Sequence, residues 1–252
     1  YAKRKFLSFK NGYHGDTLGA MSVCDPLEGM HTLFKGYLPE QINTELPTNK
    51  LKKETFKNTL LHNKHEIAAI ILEPLVQCAG GFKFHSIETL KFIDDLAKEN
   101  NILIIADEIA TGFGRTGSMF AFEQSKIIPD IICLGKALTG GTVSLAAVVA
   151  TSKIYDAFLS NNDDDALMHG PTYMANPLAC SAANASIDLF RTEPRLEQVK
   201  NIEKELNNKL IECKNMKSVI DVRVKGALGV IQVKKMHNLN WLRKKFVEDG
   251  VW

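Results

Sequence analysis

Short continuous runs of apolar residues, separated by amphipathic stretches, are the main pattern along this chain. The runs at 67–72, 102–106 and 131–134 contain only hydrophobic residues. Such runs are typical of strands that are buried on both faces of a parallel sheet. Residues 88–100 instead repeat apolar side chains every three or four positions, which predicts a helix. The succession of strand, helix and strand predicts a right-handed βαβ unit.

The rest of the chain continues this alternation and predicts an α/β fold, with a mostly parallel sheet flanked by helices. Asn176 and Pro177 fit the N-cap and the first position of a helix. We predict a large domain over 1–190 and the beginning of a smaller domain over 191–252. The strand that contains the run 102–106 extends to 107, and the further predicted strands cover 5–9, 145–151 and 219–224. The further predicted helices cover 16–22, 51–63, 177–190, 196–210 and 239–249.

The composition is that of an ordinary globular protein and favours no polyanionic partner. Hydrophobic residues make up 45% and charged residues 24%, and 31 Lys and Arg against 29 Asp and Glu give a net charge of +2. This balance argues against binding to nucleic acid or to an anionic membrane surface. No apolar stretch is long enough to predict a membrane span, and no signal peptide is visible.

The cysteines and the chain ends carry information of their own. Five cysteines are spread along the chain without a CxxC pair, which predicts reduced thiols in a cytoplasmic protein. The chain begins at Tyr1, close to a predicted strand, and it stops at Trp252, just after the helix-ending Gly250. We therefore expect a fragment that lacks both ends of a longer protein.

Asp107 and Lys136 are the strongest candidates for chemistry. Each lies at the C-terminal end of a predicted buried strand, and that edge of an α/β sheet is where ligands bind. A lysine held there can form a Schiff base with an aldehyde, and a buried carboxylate can keep a pyridine nitrogen protonated. Pyridoxal phosphate needs both groups. The spacing alone also fits two unrelated loop residues.

Other motifs keep further functions open. Residues 112–117 match GxGxxG, a dinucleotide-binding pattern, although the preceding strand ends too early and no acid follows at the expected distance. His62 and His65 have a spacing seen in metal sites, but no third ligand is suggested. Tyr13 could stack on a planar cofactor. Glu73 is either a charged switch group or only the residue that ends its strand.

Five motifs occur in order along the chain: Tyr13-His14-Gly15-Asp16-Thr17, Leu72-Glu73-Pro74, the stretch from Asp107 to Gly117, Gly135-Lys136-Ala137 and Asn176-Pro177-Leu178-Ala179. Together they closely resemble the class III aminotransferases, which are pyridoxal-phosphate enzymes of fold type I. The resemblance spans nearly the whole chain, and it is most specific between Asp107 and Lys136.

The resemblance implies a role for each candidate residue. Lys136 would hold the cofactor as a Schiff base and then move a proton to and from the substrate. Asp107 would pair with the pyridinium nitrogen, and Tyr13 would lie beside the cofactor ring and the substrate. Pro171 and Thr172 would reach the cofactor phosphate from the partner subunit of a homodimer.

Substrate contacts are implied for Gly170, near the substrate, and for Arg115, which would help to place it. The segments 11–25, 168–172 and 246–252 resemble the branch of the class that acts in biotin synthesis. That branch implies S-adenosylmethionine as amino donor and 7-keto-8-aminopelargonate as acceptor. Another class III ω-aminotransferase with a different donor is the alternative.

Two departures from the class pattern limit what the resemblance implies. Many class members have a glutamine that contacts the ring oxygen of the cofactor at the position where this chain has Ala110. In this chain that contact must come from another residue. Members of the class also extend beyond both ends of this chain. We expect the N-terminal extension to hold a phosphate loop and the C-terminal extension to supply an arginine for the substrate carboxylate.

Overall fold

A six-stranded, mostly parallel sheet forms the centre of the computed structural model, which confirms the predicted α/β class. The structure describes residues 3–234 and 238–251; Tyr1 and Trp252, on which the expectation about the chain ends depends, lie outside these ranges. The strands are β1 (Lys5–Phe9), β2 (Ile42–Thr44), β3 (Ile67–Leu72), β4 (Val76–Gln77), β5 (Lys83–Phe84), β6 (Leu103–Asp107), β7 (Ile131–Leu134), β8 (Ala147–Ala150), β9 (Val219–Lys225) and β10 (Leu228–Val233).

The strand order in the main sheet is β2-β1-β3-β6-β7-β8. All neighbouring pairs are parallel except β7 and β8, which are antiparallel. The carboxyl ends of β1, β3, β6 and β7 therefore lie side by side along one edge. The helices are α1 (Leu18–Ser22), α2 (Lys50–Asn63), α3 (Ile87–Glu99), α4 (Ser152–Asp156), α5 (Pro177–Thr192), α6 (Arg195–Leu210) and α7 (Leu239–Glu248).

Every predicted strand and helix is present, with ends displaced by at most two residues. The elements that the pattern missed are β2, β4, β5, β10 and α4. Three of these missed strands are only two or three residues long, too short to show a period. The fourth, β10, contains Gly229, and glycine is uncommon inside strands.

The main core lies between the sheet and the helices α2 and α3. Helix α3 begins at the N-cap Ser86, whose hydroxyl accepts the Thr89 N–H at 3.2 Å. Its predicted apolar face is buried as expected, and Phe9 of β1 lies against Phe56 of α2 with ring centroids 5.7 Å apart. Buried members of this core include Leu7, Leu60, Ile67, Ile70, Leu72, Leu90, Ile93, Leu96 and Ile104. This packing fixes the positions of the strand ends.

The C-terminal part pairs β9 with β10 in an antiparallel hairpin that contacts α6. Its turn lies against the loop after β6, where the Ala227 N–H donates to the Arg115 carbonyl at 3.0 Å. Gly226 has a φ of 54°, and a Cβ there would come within 2.6 Å of the Arg115 carbonyl oxygen. Glycine is therefore required at this approach. The division into domains at residue 190 stays a prediction.

Within the described residues, no helix is both long and apolar enough to cross a membrane.

Candidate active site

Four neighbouring parallel strands deliver polar residues to the same edge of the sheet. Loop 10–17 after β1 carries Tyr13 and His14, Glu73 follows β3, Asp107 ends β6, and Lys136 comes shortly after β7. The ladder of hydrogen bonds fixes the register of these strands, so residues far apart in sequence meet here. This is the sheet edge at which α/β proteins bind ligands.

Asp107 is held in place by two donors. The Nδ1 atom of His14 lies 2.8 Å from one carboxylate oxygen, and the Ile109 N–H donates to the other at 3.1 Å. The side chains of His14 and Asp107 are only 2% and 7% exposed, so little water competes for this contact. A buried carboxylate with partners on both oxygens is fixed in direction. His14 belongs to the motif Tyr13-His14-Gly15-Asp16-Thr17, but the sequence predicted no role for it.

Lys136 stands at the start of a short 3-10 helix, 136–139, and has a φ of 46°. This left-handed conformation is uncommon for residues other than glycine and recurs at functional sites. Helix α5 supports it, since the Ser186 hydroxyl donates to the Ala137 carbonyl at 3.0 Å. The lysine thus emerges from a backbone that the neighbouring helix holds in place.

Lys136 and Asp107 line one cavity of about 220 Å³, so the fold brings these two strand-end residues together. Lys136 also borders a more open cavity of about 680 Å³, formed with residues between 139 and 146. Lys136 is therefore the residue that the two cavities have in common. The lining residues of the smaller cavity are Tyr13, His14, Gly15, Glu73, Cys78, Ala79, Asp107, Ile109, Ala110 and Lys136.

Glu73 is a buried carboxylate in the wall of this cavity. It accepts the N–H of Tyr13 at 3.2 Å and the N–H of Cys78 at 3.0 Å, and so it ties two loops together. Burial raises its pKa to about 7, against the opposing charge of His14. The proximity of Asp107 adds to the increase. The carboxyl thus exchanges its proton near neutral pH.

Replacing Glu73 with glutamine should change how stability depends on pH. The folded-state pKa of Glu73 is raised from 4.5 to about 7. Its contribution to stability is therefore fully present below pH 4.5 and is lost as pH rises through 7. The free energy of unfolding of the wild-type protein falls by at most about 3 kcal/mol over this range, and the Glu73→Gln variant should not show this fall. Urea unfolding at several pH values measures the difference.

The exposed Glu99 on α3 provides the control for this experiment. Glu99→Gln removes the same charge at an exposed position, and its curve of unfolding free energy against pH serves as the reference for Glu73→Gln. If the curves of Glu73→Gln and the wild-type protein ran parallel between pH 4.5 and 7, the raised pKa of Glu73 would be refuted.

Behind Tyr13 lies a contact that the sequence did not indicate. One carboxylate oxygen of Asp16 accepts the Tyr13 hydroxyl at 2.9 Å, and the same oxygen lies 2.9 Å from Nε2 of His31. The rings of Tyr13 and His31 are stacked, with centroids 5.8 Å apart. Burial and the hydrogen bond to Asp16 raise the pKa of the Tyr13 phenol. No spacing rule could have pointed to His31, which lies in an irregular region.

Arg115 does not line the small cavity, although its positive charge acts on the pKa of Cys78, which does. Burial raises the pKa of the Cys78 thiol to about 11, Glu73 adds to this, and the charges of Lys136 and Arg115 oppose it. The raised pKa keeps Cys78 a neutral thiol at physiological pH, so it is a poor nucleophile. Arg115 is exposed, within the turn that meets the C-terminal hairpin.

Gly170, Pro171 and Thr172 are exposed, in an irregular segment that enters a turn at Thr172, and they do not line the cavity of this chain. The structure therefore does not bring them together with Lys136 within one chain. This placement leaves their assignment to a site in a second subunit as a prediction.

The GxGxxG match at 112–117 forms successive turns, and no helix opens on it. A dinucleotide site of this type needs a helix N-terminus at the glycines, so the geometry argues against that alternative. The buried Glu108 holds the loop, accepting the Thr111 hydroxyl at 2.5 Å and the Phe122 N–H at 2.8 Å. A Cβ on Gly114 would lie 3.2 Å from Leu196 of α6, so this glycine serves packing.

His62 and His65 are both exposed. Across the described ranges, no group of three or more His, Cys, Asp or Glu side chains is arranged to hold a metal ion. All five cysteines are free thiols; Cys24 is buried and the other four are half-buried.

Comparison with known proteins decides the family. The sequence profile described as "Aminotransferase class-III" matches residues 1–252. The chain belongs to the class III aminotransferases. Among its curated relatives, the adenosylmethionine-8-amino-7-oxononanoate aminotransferase of Buchnera aphidicola (subsp. Acyrthosiphon pisum) is 46% identical over 258 residues, which cover 99% of this chain and 60% of the relative.

Solved aminotransferase structures have the same fold. The adenosylmethionine-8-amino-7-oxononanoate aminotransferase of Methanocaldococcus jannaschii superposes with a TM-score of 0.90 at 33% identity, covering 100% of this chain and 61% of that one. An amine transaminase from an uncultivated Pseudomonas species, solved in its PLP-bound form, gives a TM-score of 0.80 at 30% identity over 89% of this chain and 54% of that one. The chain thus spans about 60% of the length of the curated relatives that it matches.

Class III aminotransferases depend on pyridoxal phosphate, and the residues present fit that group. One cavity offers an amine for the aldehyde at Lys136 and a fixed carboxylate for the ring nitrogen at Asp107. The half-buried aromatic ring of Tyr13 lies in the same wall. These three groups match the three chemical features of a pyridine aldehyde.

Proposed function

We propose that this chain is the core of a pyridoxal-phosphate-dependent aminotransferase that transfers the amino group of S-adenosylmethionine to 7-keto-8-aminopelargonate, giving 7,8-diaminopelargonate for biotin synthesis. The observation that carries the proposal is the shared cavity of Lys136 and Asp107. An amine and a buried, oriented carboxylate in one cavity are what this cofactor needs.

When bound, pyridoxal phosphate supplies an electron sink and an aldehyde that carries the amino group. Lys136 would bind that aldehyde through Nζ and then serve as the general base and acid that moves the substrate proton. Asp107, kept in place by His14, would hold the proton on the ring nitrogen. Tyr13 would border both the cofactor ring and the substrate, and Arg115 would help to place the substrate.

The names of the relatives support the choice of substrates. The curated proteins from Buchnera aphidicola and Corynebacterium glutamicum, at 46% and 44% identity, are both adenosylmethionine-8-amino-7-oxononanoate aminotransferases. Similar structures also include amine and ω-transaminases at 26% to 30% identity, so a simple amine donor is the second candidate.

An assay of the full-length protein separates these two candidates. With S-adenosylmethionine and 7-keto-8-aminopelargonate we expect 7,8-diaminopelargonate, detected by mass spectrometry, only when pyridoxal phosphate is present. Turnover with simple amines and none with S-adenosylmethionine would overturn the proposed donor. Turnover with neither donor would reject the proposed activity as a whole.

The proposal includes a homodimer in which Gly170, Pro171 and Thr172 act in the site of the partner subunit. Thr172 and the backbone of its segment would contact the cofactor phosphate, with Gly170 near the substrate. A run of exposed apolar side chains around these residues supports a covering second copy, because such patches mark association surfaces. Its exposed members are Phe158, Leu159, Leu167, Met168, Tyr173, Met174 and Leu178.

Thr172→Ala should weaken the binding of pyridoxal phosphate by about 10- to 100-fold, because a hydrogen bond to a charged phosphate is lost. Fluorescence titration of the cofactor-free, full-length protein measures this affinity. Thr55→Ala, on the exposed face of α2, is the matched control and should bind like the wild-type protein.

Mixed dimers test whether Thr172 acts across the subunit boundary. A dimer of one Lys136→Ala chain and one Thr172→Ala chain would contain one site with both original residues. We expect such dimers, isolated with two different tags, to regain tight cofactor binding and activity in half of their sites. If mixing restored nothing, the assignment to the partner subunit would be wrong.

A further inference from the structure

His31 is the buried member of a three-residue group, with Tyr13 and Asp16, beside the candidate active site. Its side chain is 9% exposed, whereas the carboxylate of Asp16, to which its Nε2 bonds at 2.9 Å, is 75% exposed. The Tyr13 hydroxyl bonds to the same oxygen of Asp16 at 2.9 Å. An exposed carboxylate turns freely in water unless a fixed partner holds it. His31 is that partner.

The stacking of the rings adds a second restraint on Tyr13. The imidazole of His31 and the phenol of Tyr13 lie 25° from parallel with centroids 5.8 Å apart. Tyr13 lines the cavity of Lys136 and Asp107, but Asp16 and His31 do not. The histidine thus supports the aromatic wall of the cavity from behind.

The shared oxygen of Asp16 also determines which way the phenol proton points. Because the Tyr13 O–H donates to Asp16, its phenol oxygen is left as an acceptor for other groups. The hydrogen bonds from His31 and Tyr13 lower the pKa of Asp16, and this keeps the acceptor ionised. His31 and Tyr13 therefore both donate a hydrogen bond to the same oxygen of Asp16.

We propose that His31 is a positioning residue, which acts through Asp16 to fix the phenol of Tyr13 in the wall of the cavity. The contact itself needs no ligand, but its effect on substrate rests on the function proposed above. Without His31, Asp16 would turn towards solvent and the Tyr13 hydroxyl would lose its fixed acceptor. The side chain of Tyr13 would then be mobile where it borders the substrate.

Two variants separate the hydrogen bond from the stacking. His31→Phe keeps an aromatic ring and removes the donor, whereas His31→Gln keeps a donor near the place of Nε2 and removes the ring. His62→Phe, on the exposed surface of α2, is the matched control. The first readout is the titration of the Asp16 carboxyl by ¹³C NMR in the cofactor-free, full-length protein, with Asp16→Asn used to assign the signal.

We expect the pKa of Asp16 to lie below its ordinary value in the wild type, His31→Gln and His62→Phe, and to rise in His31→Phe. An unchanged titration in His31→Phe would overturn the proposal, whatever the enzyme turns over. This readout needs neither cofactor nor substrate, so its failure is distinct from failure of the proposed activity.

The second readout is steady-state kinetics of the same variants with the substrates proposed above. His31→Phe should lower kcat/KM about 10-fold, mainly through KM, since one hydrogen bond to a charged group is lost. His31→Gln should recover most of that loss, and His62→Phe should match the wild type. Equal losses in His31→Phe and His31→Gln would contradict the role of the donor.

Discussion

Lys136→Ala is expected to lower aminotransferase activity by about 10 000-fold or more, because the variant loses both the nucleophile and the proton carrier. It should also lose the yellow absorption that stays with the protein when pyridoxal phosphate is added and excess cofactor is removed. A variant that only misfolds would lose both, so its circular dichroism spectrum should be shown to match that of the wild-type protein.

Lys126→Ala is the matched control for the loss of this lysine. Lys126 has the same left-handed backbone, with φ of 58° against 46° for Lys136, and it is exposed away from the cavity. Replacing it removes the same side chain from the same backbone conformation, so activity and colour should be retained. Colour that persisted in Lys136→Ala would show that another amine holds the cofactor.

Asp107→Asn is expected to reduce kcat by about 100- to 10 000-fold while the protein stays folded. An amide cannot balance a proton on the ring nitrogen, and it leaves the buried His14 without its charged partner. A fall of this size corresponds to a loss of about 3–5 kcal/mol of transition-state stabilisation. Stopped-flow measurement of one half-reaction gives the rate directly.

Asp94→Asn provides the comparison for Asp107→Asn. Asp94 is also a buried aspartate, paired with Lys98 on helix α3, but it lies outside the cavity. Its substitution should affect stability and leave kcat nearly unchanged. A similar fall in kcat for both variants would attribute the effect of Asp107→Asn to general destabilisation.

The apolar pattern predicted most of the fold because buried parallel strands require continuous hydrophobic runs. The runs around Ile70, Ile104 and Ile132 each became a strand of the central sheet. The short strand at Ile42–Thr44 escaped prediction because it is held by pairing with β1, and such pairing leaves no local pattern.

For the site, the sequence indicated the strand ends and not the contacts between them. Lys136 and Asp107 were recognisable because each follows a buried run. The pairing of His14 with Asp107 spans 93 positions and depends on the register of three strands, so spacing could not indicate it. The contact between His31 and Asp16 and the raised pKa of Glu73 likewise arise only when separate loops meet.

The assignment of this active site is tested most sharply by locating the lysine that binds the cofactor. The full-length protein is loaded with pyridoxal phosphate, reduced with borohydride, digested and analysed by mass spectrometry. We predict that the mass of the reduced cofactor appears on the peptide that spans Lys136 and is absent in Lys136→Ala. A label on a different lysine, or no label at all, would contradict the assignment of this cavity as the active site.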